Sequence, residues 1–231
     1  PTGFLSLCSA NLPSVDVIPS EHFNTVLWTG DGSTSRSITD VGFRSDLTWI
    51  KERDVSLSHA LFNSIVGGGA NKAMSSNGTG SEAGFNANAT YGYLNTFDST
   101  GFSVARGSSG TVSYTNENGG TYAAWNWKAG GSASSNTNGS ITSSVSANPA
   151  AGFSIVSYTG TGANATIGHG LSVAPEMIIT KNRSIAYDWG VYHQELGPTQ
   201  NLYLDLTLAA NTSANVWNNT APTSSVFNVG I

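Results

Sequence analysis

The chain has 231 residues, 39% of them hydrophobic and only 10% charged, with nine Lys plus Arg against 14 Asp plus Glu and a net charge of −5. That length suits two domains of about 100 residues, each with its own core, and the acidic balance has the wrong sign for gripping phosphate backbones, so no nucleic-acid partner is expected. A charged fraction so far below the usual value of about 25% leaves a surface of Ser, Thr, Asn and Gly, which loses little solvation when another subunit or a sugar covers it.

Residues 1–22 contain Pro1, Pro13 and Pro19 with little periodicity, and predict a connector. Thr25 to Trp28 is rich in β-branched and aromatic residues and ends at Gly30-Asp31-Gly32, a turn signal. Leu47 to Lys51 is the next predicted strand, then Ala60 to Asn63, broken by Gly67-Gly68-Gly69. Residues 76–92, mostly Asn, Gly, Ala and Ser, predict a long surface loop. Strand character returns at Gly101 to Val104, and Thr121 to Trp127 places Ala123, Trp125 and Trp127 on one face, which predicts a core strand with its tryptophans inward. Residues 131–139 read as a flexible linker. Beyond it, Ile141 to Val145, Ser154 to Tyr158, Met177 to Lys181, Leu202 to Leu206 (its leucines inward) and Val226 to Val229 are predicted strands.

The chain also repeats. Laying Phe23–Gly67 onto Phe153–Gly197 at one constant offset, without a gap, gives eight identities in 45 positions: Phe23, Val26, Thr29, Gly30, Gly32, Lys51, Arg53 and Gly67. Chance for this composition gives roughly three or four. The domain reading is therefore a connector over 1–22, a first module over 23–130, a linker over 131–139 and a second module over 140–231. No counterpart of Tyr122–Trp127 follows Val229, so the second module is expected to lack its closing strand. No sustained 3.6-residue apolar period occurs, and helices are expected to be minor. The fold class is all-β, with two tandem antiparallel β-sandwich modules of jelly-roll type related by duplication.

Phrases such as Leu47-Thr48-Trp49-Ile50-Lys51, Phe97-Asp98-Ser99-Thr100-Gly101-Phe102, Tyr122 to Gly130 and Gly168-His169-Gly170-Leu171 followed by Ala174-Pro175 resemble the tandem β-rich modules of tailed-phage virion proteins, especially those of marine phages. Such modules often follow a SPRY-type sandwich, and Pro1-Thr2-Gly3-Phe4 through Asn11-Leu12-Pro13 is similar to the exit from one. The resemblance implies a structural protein of the virion, in a tail fibre or other appendage and with host-surface adhesion as a further role, assembled in the bacterial host cytoplasm. It implies copies of itself and other virion proteins as partners, together with a host-surface glycan. It also implies an aromatic strand beyond Val229; the missing strand is expected from continuation of the same polypeptide, with an extended segment of another chain as the alternative source. A carbohydrate-binding module of a glycan-active protein and a capsid decoration protein are the alternative readings.

Chemistry-bearing residues are sparse. His22, His59, His169 and His193 include no short-spaced pair of the kind zinc requires, and none recurs at a repeat-matched position. The acids Glu52, Asp54, Asp188, Glu195 and Asp205 show no spacing that selects a catalytic pair. No enzyme activity, metal or cofactor is expected. The single Cys8 permits no intrachain disulfide, and no apolar run approaches membrane-span length, so no membrane insertion is expected. Two polar pairs recur, Lys51 with Arg53 and Lys181 with Arg183, each at the end of a predicted strand beside acids. Holding an acidic glycan or subunit is one role for them; fixing the strand exit through ion pairs or backbone contacts is the favoured one. Tyr187 and Trp189 after a turn, together with His193 and Trp217, are the candidate contacts to a glycan or a neighbouring subunit, since exposed aromatics stack on sugars or bury in partners.

Overall fold

A computed structural model of the chain describes residues 17–230. It is all-β. Among the described residues, seventeen strands are joined by loops and two short 3-10 turns, Pro19–Glu21 and Glu82–Gly84, and every strand pair is antiparallel. The expected connector falls largely on residues 1–16, outside the described residues.

The first half holds eight strands: β1 (Phe23–Thr29), β2 (Arg36–Ile38), β3 (Leu47–Glu52), β4 (Ala60–Asn63), β5 (Met74–Ser75), β6 (Tyr93–Asp98), β7 (Gly101–Ala105) and β8 (Thr121–Trp127). They form a five-stranded sheet in the order β1-β8-β3-β4-β5 and a three-stranded sheet in the order β2-β7-β6. Val26, Trp28, Ile50, Phe62, Tyr122 and Ala124 from the larger sheet and Ile38, Leu94, Phe102 and Val104 from the smaller one bury into a single core. Burying a side chain of this kind contributes about 1.5–3 kcal/mol, which is how the two sheets hold together without a disulfide. Strand β8 is central, paired over seven positions with β1 and six with β3.

Which face of β8 points inward differs from the expectation. Tyr122, Ala124 and Asn126 are the fully buried residues, whereas Trp125 and Trp127 turn to the other side of the sheet and are half-buried. Two features hold the smaller residues inside. The Tyr122 hydroxyl donates to the Ser113 carbonyl at 2.9 Å and accepts from the Glu117 N–H at 2.8 Å, and Asn126 Oδ1 accepts from the Thr48 hydroxyl at 3.1 Å. Trp125 and Trp127 pack instead against Trp49, Phe23 and Phe153.

The second half comprises β9 (Ser134–Asn136), β10 (Ser143–Asn148), β11 (Phe153–Ser157), β12 (Ala165–Gly168), β13 (Met177–Thr180), β14 (Gly190–His193), β15 (Gln200–Tyr203), β16 (Asn211–Thr212) and β17 (Val226–Val229). Its sheets are ordered β11-β10-β9, β12-β17 and β13-β14-β15-β16. The stretch expected to be a flexible linker is tied down. Strand β9 pairs with β10, and the buried Asp46 carboxylate accepts from the N–H groups of Ala129 and Gly131 at 2.9 and 3.2 Å. The strand expected over Leu202–Leu206 stops at Tyr203: Asn201 is its buried residue and Leu206 is exposed, because the chain bends after β15 where Trp189 N–H bonds to the Asp205 carboxylate.

Candidate functional site

A broad concavity lies between β11 and β13. Among the described residues each of these strands is paired on one side only, β11 with β10 and β13 with β14. Their facing edges enclose a cleft of about 1090 Å3, lined by Val156, Ser157 and Tyr158 on one wall, Thr180 and Lys181 on the other, and Gly190, Asn201 and Val216. In β1 the residues Val26 and Trp28 are buried, and in β3 Thr48 and Ile50 are; in β11 and β13 the alternating residues stay half-open.

Three of the sequence-predicted residues line this cleft: Lys181, Arg183 and Tyr187. Lys181 Nζ donates to the carbonyls of Asn182 at 2.9 Å and Thr79 at 3.1 Å. Burial pushes its pKa down, with Asp205 and Asp188 opposing that shift. Arg183 donates from Nε and Nη2 to Glu82 Oε2, at 3.1 and 2.8 Å, and from Nη1 to Ser157 Oγ at 3.2 Å, so its side chain reaches from the end of β13 to β11. Tyr187 is 65% exposed, while its N–H donates to the Thr79 carbonyl at 3.0 Å. The loop over 76–92 thus braces one side of the cleft through Thr79 and Glu82.

The other candidates sit elsewhere. Lys51 Nζ donates to the Glu52 and Val55 carbonyls, fixing the exit of β3, and Arg53 is exposed with its N–H on the Thr121 carbonyl at 2.7 Å. His193 is half-buried at the end of β14, where its Nδ1 accepts from the Glu195 N–H at 3.3 Å. Trp189 and Trp217 are 3% and 2% exposed, so neither presents a face for stacking. Trp189 packs with Leu61 and Met74 and donates from Nε1 to the Ser75 carbonyl at 2.8 Å. Trp217 packs edge-on against Tyr192.

Sequence reasoning missed Tyr158, Asn201, Tyr203 and Glu82 as cleft residues. Asn201 is buried with an unpaired Oδ1. No local pattern marks them, because the cleft forms only when two strands that are not consecutive in the chain are brought side by side without a third between them. Among the described residues no three His, Cys, Asp or Glu side chains cluster to hold a metal ion, and no helix is long and apolar enough to cross a membrane. The cleft therefore offers open strand edges, tyrosines and one tethered arginine as its chemistry.

The model of the DUF7483 family, a domain of unknown function, matches residues 18–231. The chain belongs to this family. The DUF7483 match spans β1 to β17 and so includes both walls of the cleft. No curated protein and no solved structure matches the chain.

Proposed function

We propose that this chain is a non-enzymatic structural component of a tailed-phage virion, in a tail fibre or other appendage, built from two β-sandwich modules that arose by duplication. The duplication reading is supported by strands that recur at the offset carrying Phe23 onto Phe153. β4 and β14 are related by that offset at both ends, and Leu47 pairs with Asn63 as Met177 pairs with His193. Gly67 and Gly197 both have positive φ, and both donate N–H to the carbonyl four residues back, at 3.1 and 3.2 Å. Lys51 and Lys181 each donate to the next residue's carbonyl, and Pro19 stands to Pro149 in the same relation.

The observation that carries the assembly role is where the apolar surface lies. Of twelve exposed large hydrophobic residues among those described, eight fall in the second half between Val173 and Leu208, among them Val173, Met177, Ile179 and Leu208. A free monomer rarely leaves such a concentration in water, and surroundings poor in charge are cheap to cover. Its partners on this reading are further copies and other virion proteins. Antibody against the chain, applied to purified particles of the phage that encodes it, is expected to label the tail. Particles that lack the chain would overturn the reading.

A second reading, host-glycan adhesion, is favoured by one feature: Tyr187 stands exposed at a cleft that also contains Tyr158 and Tyr203, an arrangement suited to stacking on sugar rings. A glycan array decides it, with saturable binding that Tyr187→Ala abolishes as the supporting outcome and silence across the array as the opposing one.

A further inference from the structure

We infer that the cleft between β11 and β13 is an unfilled strand slot, and that its occupant is an extended segment with the alternation of Thr121–Trp127, following β17 in the same polypeptide and inserted antiparallel to both edges. The inference rests on the duplication reading above. In the first half, β1 and β3 never touch as neighbours; β8 lies between them and bonds to both. Their repeat counterparts are β11 and β13, and no strand among the described residues pairs between those two; only the Arg183 side chain reaches across, to Ser157. Adjacent strands stand about 4.8 Å apart, so two strands flanking a third leave a channel one strand wide whose walls are unpaired main-chain N–H and C=O groups.

The register can be read at one end. Gly30 N–H donates to the Gly120 carbonyl at 2.7 Å and Arg53 N–H to the Thr121 carbonyl at 2.7 Å, which together seat the start of β8. Gly160 and Arg183 are the repeat counterparts of Gly30 and Arg53, and both line the cleft. The occupant's first residues accordingly sit beside Arg183. The inward face of β8 carries Tyr122, Ala124 and Asn126, all fully buried, and an occupant of the same pattern would cover Val156, Tyr158, Ile178 and Thr180, the half-open positions of the slot walls. Chain order supplies the source: β8 follows β7 in the first half, and β17 pairs with β12 as β7 pairs with β2.

The test appends a second copy of residues 106–130 after Ile231, reproducing the stretch that follows β7, and compares it with the unextended chain by hydrogen exchange and thermal unfolding. With the appended segment, amides of Phe153–Ser157 and Met177–Thr180 are expected to slow by about tenfold or more, while those of β1 and β3 stay unchanged, and the unfolding midpoint rises. The same appended copy carrying Ala124→Pro, which cannot complete the ladder, is expected to give no protection. Unchanged exchange in β11 and β13, or equal protection by the proline version, overturns the inference. Protection that instead grows with concentration of the unextended chain alone makes a second copy the occupant and overturns it equally. These readouts are independent of virion labelling, so an empty slot and an absence from particles are distinguishable failures.

Discussion

Two carboxylates of opposite tendency sit at the ends of the first-half sheets. Asp31 accepts from the Ser33 N–H at 2.9 Å and from the fully buried Asn116 amide at 2.8 Å. These bonds, with Ser33 first and Arg36 nearby, hold its pKa down at about 2. A depressed carboxylate gives stability that is complete above the ordinary value of about 3.9 and is lost as pH falls toward the folded value. Urea midpoints followed from pH 5 to pH 2 should fall more steeply for the wild type than for Asp31→Asn, and parallel curves would contradict the assignment. Glu52 is the reverse case. Burial raises its pKa, with the Tyr122 hydroxyl partly opposing the shift, and one carboxylate oxygen has no partner. The folded state then binds a proton more tightly than the unfolded chain, so this contribution is present at low pH and is lost as pH rises from the ordinary carboxylate value through the raised one. Glu52→Gln should therefore gain stability relative to wild type between pH 4 and pH 7, measured by the same unfolding series, and a constant difference would sink the argument. The placement of Lys51 and Lys181 at strand ends was legible in the sequence because both lysines recur after an apolar strand run. The burial of Trp189 was not, since what covers it is Leu61 and Met74, from the other half of the chain.

Strands β1, β3, β4, β7 and β8 could be read directly, because each is a short run rich in apolar and aromatic residues between turn signals, although β4 and β7 are buried at every position and show no alternation. Strands such as β9 (Ser-Ser-Asn) and β16 (Asn-Thr) could not. They are strands only through their pairing with β10 and β15, and polar residues leave no periodic trace. The tryptophan face of β8 misled for a related reason: large aromatic side chains mark a packed surface, but this sheet is packed on both sides. The hairpin turns make an element-scale prediction. Gly67 and Gly197 have φ of 88° and 75°, and a Cβ at either would meet nothing within 4 Å. Ala at each site therefore suffers only the left-handed backbone, about 1–2 kcal/mol. Equal losses for Gly67→Ala and Gly197→Ala by chemical denaturation are expected, and a neutral result at one site alone would mean that the two turns differ in kind.

At the scale of the whole molecule, the cleft was legible only in three of its lining residues, Lys181, Arg183 and Tyr187. Its bracing by the other half through Thr79 and Glu82 involves loop residues with no pattern of their own. The halves meet through contacts of unequal weight. The Glu82–Arg183 pair is 2.8 Å long, but the arginine is 40% exposed, and an ion pair of that exposure contributes about 0–1 kcal/mol. Trp189 is different: it is buried against the first half's Leu61 and Met74 with its indole N–H on the Ser75 carbonyl. Removing a large buried aromatic costs about 3–5 kcal/mol. The second half has open strand edges, so this tie is the greater share of what makes it unfold together with the first. In the wild type, tryptophan fluorescence and far-ultraviolet circular dichroism should report one coincident transition in urea. In Trp189→Ala the transition should split, with hydrogen exchange in β13 and β14 accelerating well before that in β1, β3 and β8. Arg183→Ala, by contrast, should leave the two probes coincident. A single, merely shifted transition in Trp189→Ala would mean that the coupling runs instead through the Asp46 ties at Ala129 and Gly131 and the Trp127–Phe153 stack.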